Sequence, residues 1–115
     1  MRTLIIGDVV GRAGRQVVAE RLPHLIDHLG LDFVILNGEN ATHGFGLSPE
    51  HAQAFFEAGV DCIILGNHSF DRKEIIPMLE QDERILRPIN YPDSTPGRGA
   101  ALLPGRNAHR VGVLP

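Results

Sequence analysis

The sequence predicts an α/β domain, a mainly parallel sheet flanked by helices, and three observations predict it. Three short runs rich in Ile, Val and Leu recur along the chain, within TLIIGD, FVILNGEN and CIILGNH, each short enough for a buried strand. The segments between them carry apolar residues at helical spacing. Each run also ends in a polar cluster: Asp8, then Glu39 and Asn40, then Asn67 and His68. In a βαβ arrangement the strands lie parallel, so all three clusters emerge at one carboxyl edge of the sheet.

Taken in order, residues 2–7 read as the first strand and GDVVGRAGR as a glycine-punctuated turn. A helix is expected from about Gly14 to Leu29, because Val17, Val18, Leu22, Leu25, Ile26 and Leu29 recur at three- and four-residue spacing. Pro23 falls inside that pattern and is expected to kink or split the helix, and Gly30 is placed to stop it. Residues 32–37 give the second strand, followed by the glycine-rich loop GENATHGFGL. Ser48-Pro49-Glu50 supplies an N-cap, a first-turn proline and an early acid for a helix that runs to Ala58 and ends at Gly59. Residues 61–65 are the third strand, and Lys73–Glu80 a short amphipathic helix with Pro77 as a local irregularity. ILRPIN reads as a fourth strand opening onto the turn-rich YPDSTPGRG. Ala100–Leu103 and Arg110–Leu114 form a candidate hairpin around Pro104-Gly105-Arg106-Asn107.

The 115 residues, with a formal net charge of -3, 43% hydrophobic and 22% charged, suit one globular domain. Such mild acidity gives no electrostatic ground for a nucleic-acid or membrane surface. No apolar stretch nears the ~20 residues needed to span a bilayer. Gly7 and Asp8 interrupt the first run before a signal-peptide pattern can form. A single cysteine, Cys62, excludes an internal disulfide and fits a cytoplasmic protein. Its place in the third run reads as that of a small buried hydrophobe. HRVGVLP starts a strand where an α/β domain would be expected to close its sheet edge, so the chain reads as a partial domain, truncated at its C-terminus. The sequence leaves a homo-oligomer open.

Asp8 and Glu39 are hard oxygen donors, and Asn40 and Asn67 add neutral carbonyl oxygens. Joined by imidazoles, such a set suits Mn, Fe, Mg or Zn better than a soft thiolate metal. A carboxylate between two cations can bridge them, and two metals about 3.5–4 Å apart form a clamp for phosphoryl chemistry. His68, next to Asn67, would stand where it could give a proton to a leaving group. Plainer readings exist for each residue: Asp8 as a turn acid after a strand, Glu39 and Asn40 as loop residues, Asn67-His68 as a turn capping the sheet edge. His43 reads as a substrate or supporting contact, or equally as a solvent-facing loop histidine. His24 and His28, at i and i+4 without a companion acid, read as surface histidines. Arg12 and Arg15 are read as the solvated face of the first helix ahead of a phosphate contact, Phe45, Phe55 and Phe56 as core or loop packing ahead of base-stacking platforms, and Arg98 as a candidate phosphate contact.

The motifs Gly7-Asp8, Gly38-Glu39-Asn40 and Gly66-Asn67-His68 resemble the successive motifs of calcineurin-like metallophosphoesterases. In most of that superfamily the first motif is Asp-x-His and the second Gly-Asp-x-x-Asp, whereas Val10 and Glu39 stand at the corresponding positions here. The ordered set GDVVG…NGENATHGFGL…LGNHSFD…RPINYP…TPGRG resembles one branch, the bacterial 2′,3′-cyclic-nucleotide 2′-phosphodiesterases, across essentially the whole chain. The resemblance implies the N-terminal half of a metallophosphoesterase-type α/β sandwich and a dinuclear centre of two divalent or transition metal ions, Fe or Mn ahead of Mg or Zn. It implies Asp8 on one metal, Glu39 bridging both, Asn40 and Asn67 completing the ligands of this half, and His68 as proton donor. It also implies three histidines from a second half beyond residue 115, a role that His109, in a turn between the late strands, comes too early to fill. The substrate it implies is a cyclic nucleotide or another phosphodiester. Two other classes remain in view: a catalytically incomplete domain that binds metal or nucleotide, and a dinucleotide-binding module built on the first glycine turn.

Overall fold

The computed structural model describes residues 1–115. Four strands, β1 (Thr3–Ile6), β2 (Phe33–Asn37), β3 (Cys62–Ile64) and β4 (Ile85–Leu86), lie side by side in the order β1-β2-β3-β4, every pair parallel. Because each strand is laid beside its predecessor, the sheet grows in one direction. Right-handed crossovers then put helices α1 (Gly11–Leu29) and α2 (Pro49–Ala58) on the same face, where they pack against each other. The second face is covered over β2, β3 and β4 by an antiparallel hairpin, β5 (Ala101–Pro104) with β6 (Arg110–Val113), while Ile5 of β1 stays exposed.

Strand alternation divides the core accordingly. Val34, Leu36, Ile63 and Ile85 face the helices and meet Leu22, Phe55 and Leu79. Phe33, Cys62 and Leu86 face the other way and are sealed by Leu103 and Val113 of the hairpin. Phe33 is wholly buried, and a side chain of that kind contributes about 1.5–3 kcal/mol by leaving water. Cys62 is buried in the same layer, and burial pushes its thiol up to about 12. It behaves as the small hydrophobe expected.

Several boundaries differ from expectation. Helix α1 starts at Gly11, not Gly14, because the Gly14 amide already bonds the Val10 carbonyl. It also runs unbroken through Pro23. The proline and Ala19, whose carbonyl loses its partner, are both exposed, so water can take the lost hydrogen bond. The segment expected as one helix over Lys73–Glu80 is a 3-10 turn, Lys73–Ile75, followed by α3 (Ile76–Gln81), with Pro77 in the first turn of α3. ILRPIN contributes only Ile85–Leu86 to the sheet, since Pro88 cannot donate to a ladder; Arg87 and Arg98 continue the chain-to-chain contact through an Arg87 amide bond. No helix is long and apolar enough to cross a membrane.

Candidate functional site

Parallel pairing brings the three polar strand ends to one edge. The Val9 amide donates to the Asn37 carbonyl at 3.2 Å and the Gly11 amide to the Asn40 carbonyl at 3.1 Å, tying the exit of β1 to the exit of β2. Gly38 in turn donates to the Ile64 carbonyl at 3.0 Å, tying β2 to β3. Asp8 leaves β1 with φ 30, a left-handed conformation that an L-residue adopts only where its surroundings impose it. Its side chain accepts a hydrogen bond from Asn40 Nδ2 at 2.6 Å.

Glu39 is held from both ends. Its amide donates to Asn37 Oδ1 at 3.0 Å, and Asn37 Nδ2 donates back to Glu39 Oε1 at 3.2 Å. The carboxylate lies against Gly66, where a Cβ would collide with it, and accepts the His68 amide on Oε2 at 3.4 Å. Only glycine permits that approach between the ends of β2 and β3. Ser69, almost fully buried, donates its amide and hydroxyl to the Gly66 carbonyl, which fixes the turn carrying Asn67 and His68. Asn67 is exposed at this strand end. His68 Nδ1 pairs with Asp71 Oδ2 at 2.6 Å, so Nδ1 carries the proton toward a carboxylate acceptor and Nε2 is left for other chemistry.

The edge is short of positive charge. The ion pairs of the chain involve Asp82 with Arg84, Glu83 with Arg98, Asp61 with Arg106 and Asp71 with His68, and none includes Asp8 or Glu39. Two neighbouring carboxylates held only by amide donors form a partial shell for a hard cation. Asn40 must turn its amide to offer Oδ1, which costs only its bond to Asp8. No three His, Cys, Asp or Glu side chains converge within reach of one ion.

Of the secondary candidates, His43 is exposed with φ 53, its ring edge-on to His51. His24 and His28 stack on the exposed side of α1, as surface histidines. Arg15 donates to the Ala41 carbonyl at 2.7 Å, and with Arg12, Gln16 and His51 it lines a cleft of about 260 Å³ between α1 and α2. Thr42 is buried, its hydroxyl shared with His51 Nδ1 and the Ser48 amide, and burial followed by the Arg15 charge lowers the His51 pKa. Phe55 is core, and Phe56 lies under the Arg84 guanidinium. Arg98 turns its guanidinium toward Glu83, before β4 and away from the carboxyl edge. Phe45 joins neither core cluster and is half exposed, because two positive-φ glycines on either side carry it outward.

Sequence reasoning passed over Asn37 and Asp71. Asn37 was signalled by a polar residue closing a run that is otherwise apolar, and Asp71 by its position three residues after His68. Arg72 had no local signal, since its partners are the Thr42 and Phe45 carbonyls about thirty residues away.

A parallel sheet gathers acid and amide side chains on its carboxyl edge, the side on which open α/β sheets bind ligands. The family described as YmdB-like protein matches residues 4–115, and the chain belongs to that family. It is 44% identical over 99 residues to the 2′,3′-cyclic-nucleotide 2′-phosphodiesterase of Bacillus subtilis (strain 168), covering 86% of this chain and 38% of that protein. A crystal structure of a hypothetical protein from Thermus thermophilus superposes with a TM-score of 0.83 at 46% identity, over 90% of this chain and 40% of that one. That of a novel phosphatase from Mycoplasma pneumoniae gives a TM-score of 0.80 at 36% identity, over 87% and 37%. The chain therefore spans about two fifths of these relatives. The resemblance drawn from the motifs is borne out at the level of family and fold.

Proposed function

We propose that the carboxyl edge is one part of a metal-dependent phosphodiesterase centre acting on 2′,3′-cyclic nucleotides. The single observation that carries the reading is the convergence of Asp8, Glu39 and Asn40 with the Asn67-His68 turn, Asn40 on Asp8 at 2.6 Å and Glu39 against Gly66. Asp8, Glu39, Asn40 and Asn67 would hold the two metal ions, Fe or Mn by preference, with Glu39, between the ends of β2 and β3, the carboxylate that would be shared. When bound, such ions supply Lewis-acid stabilisation of the phosphorane charge and a more acidic water. Four oxygen donors alone bind a divalent ion loosely, so a tight centre would need further donors.

The His68 imidazolium, held by Asp71 at Nδ1, would give its Nε2 proton to the departing 2′ oxygen as a water oxygen adds to phosphorus and the P–O2′ bond breaks, leaving the phosphate on the 3′ position. Asp71 holds Nδ1 of the ring, which leaves Nε2 as the nitrogen that acts. Asn37 keeps the Glu39 carboxylate from swinging into solvent. The reading is tested by calorimetric Mn²⁺ titration of the chain and of Asp8→Asn and Glu39→Gln. Each variant is expected to lose at least about tenfold in affinity, the size of effect seen when a ligand shell is disturbed. Unchanged Mn²⁺ affinity in both variants would sink the reading.

A further inference from the structure

We infer that Phe45 and Arg72 form a stacking platform for the nucleobase of the substrate, an assignment that rests on the phosphodiesterase reading and adds to it the residue that recognises a nucleoside. Phe45 is 49% exposed and belongs to neither core cluster, so its ring gains little from folding. The loop nevertheless fixes it. The Thr42 amide bonds the Gly46 carbonyl, the Phe45 amide bonds the Thr42 carbonyl, and His43, Gly44 and Gly46 all take left-handed conformations to make the turn.

Arg72 reaches across from the loop after β3 and donates to the Phe45 and Thr42 carbonyls, its guanidinium 4.9 Å from the centre of the Phe45 ring. Gly46 makes room for it: a Cβ there would stand 2.5 Å from Arg72 Cγ. One face of the ring is thus backed by a cation that holds its orientation, and the exposure leaves the rest of the ring to a ligand. A ring fixed in advance loses little freedom when a base settles on it, and any base offers a π-face.

The platform also stands beside the candidate centre. The Gly46 amide donates to the carbonyl of Glu39, and the Gly44 amide nitrogen is 4.0 Å from where a Cβ on Gly11 would lie. The loop therefore folds back over the ends of β1 and β2, with Phe45 one residue from a direct contact to Glu39. A phosphodiester held at the edge has its nucleoside within the span of this loop, whereas a phosphodiester without a base would leave the ring bare.

The test is calorimetric binding to the chain, with Mg²⁺ present, of two stable ligands: adenosine 3′-monophosphate and methyl ribofuranoside 3-phosphate, which carries no base. The intact chain is expected to favour the adenosine ligand by about tenfold, or about 1.4 kcal/mol, at the low end of base–aromatic stacking. Phe45→Ala should abolish that preference without changing affinity for the base-free phosphate, and Phe45→Trp should keep it. If the intact chain binds both ligands equally, or Phe45→Ala retains the preference, the platform is refuted while the phosphodiesterase reading stands. If neither ligand binds, the platform is refuted, while the phosphodiesterase reading is judged by the Mn²⁺ titrations of Asp8→Asn and Glu39→Gln.

Discussion

Replacing Gly66 with alanine places a methyl group where the Glu39 carboxyl group now lies, with Glu39 Cδ only 2.6 Å from the added carbon. The backbone at Gly66 need not move, because Glu39 can swing its side chain outward. That swing breaks the Asn37 Nδ2 bond at 3.2 Å and the His68 amide bond at 3.4 Å. Bonds to a charged acceptor are worth about 1.5–3 kcal/mol each when well buried. These are long and only partly buried, so the expected loss of stability is about 1–2 kcal/mol in total. With a urea slope of about 2 kcal/mol/M, the unfolding midpoint should fall by about 0.5–1 M. Gly7→Ala is the control at the same sheet edge, since a Cβ there meets nothing within 4 Å, and should leave the stability within about 0.5 kcal/mol of the parent or raise it slightly. Under the metal-centre reading, Gly66→Ala should also weaken Mn²⁺ binding by about tenfold or more while Gly7→Ala does not. A Gly66→Ala chain with the parent's urea midpoint and the parent's Mn²⁺ affinity would refute the reasoning.

The lowered His51 pKa predicts a pH dependence of a definite sign. The folded state disfavours the imidazolium, so stability from His51 is full above the ordinary histidine pKa of about 6.5 and is lost as pH falls through the lower folded value. Urea midpoints measured between about pH 5 and 7 should therefore rise with pH, and His51→Gln should flatten that rise; a slope unchanged by the substitution would count against the assignment. Arg106 clamps the hairpin to the sheet through Asp61 Oδ2 at 2.6 Å and the Gly59 carbonyl at 2.7 Å. Arg106→Ala should lower stability by about 1 kcal/mol, with a double-mutant cycle against Asp61→Asn returning a coupling energy above zero.

How much was legible follows from the range of each interaction. The β1, β2 and β3 runs, the Ser48 cap with Pro49 behind it, and the stops at Gly30 and Gly59 are local, and all three kinds of signal appear in place. The hairpin was legible for the same reason, to within a residue at each strand. Pro23 misled because its cost depends on whether the freed carbonyl meets water, which burial decides. Whether Phe45 would be covered or exposed was not legible, because an aromatic residue in a loop carries no local mark of it.

By itself, the sequence determined the class of fold, the strands whose ends carry Asp8, Glu39, Asn40, Asn67 and His68, and the family resemblance. Those are properties of short stretches and of their order, and parallel pairing is enough to bring the ends together. The tertiary structure alone decided that Glu39 rests on Gly66, that Asn37 and Asp71 hold Glu39 and His68, that Arg98 turns away, and that Arg72 backs an exposed Phe45. These contacts either join residues far apart in the chain or turn on a rotamer that neighbours impose. Only the packed chain specifies them, because the sheet must form before such partners are within reach.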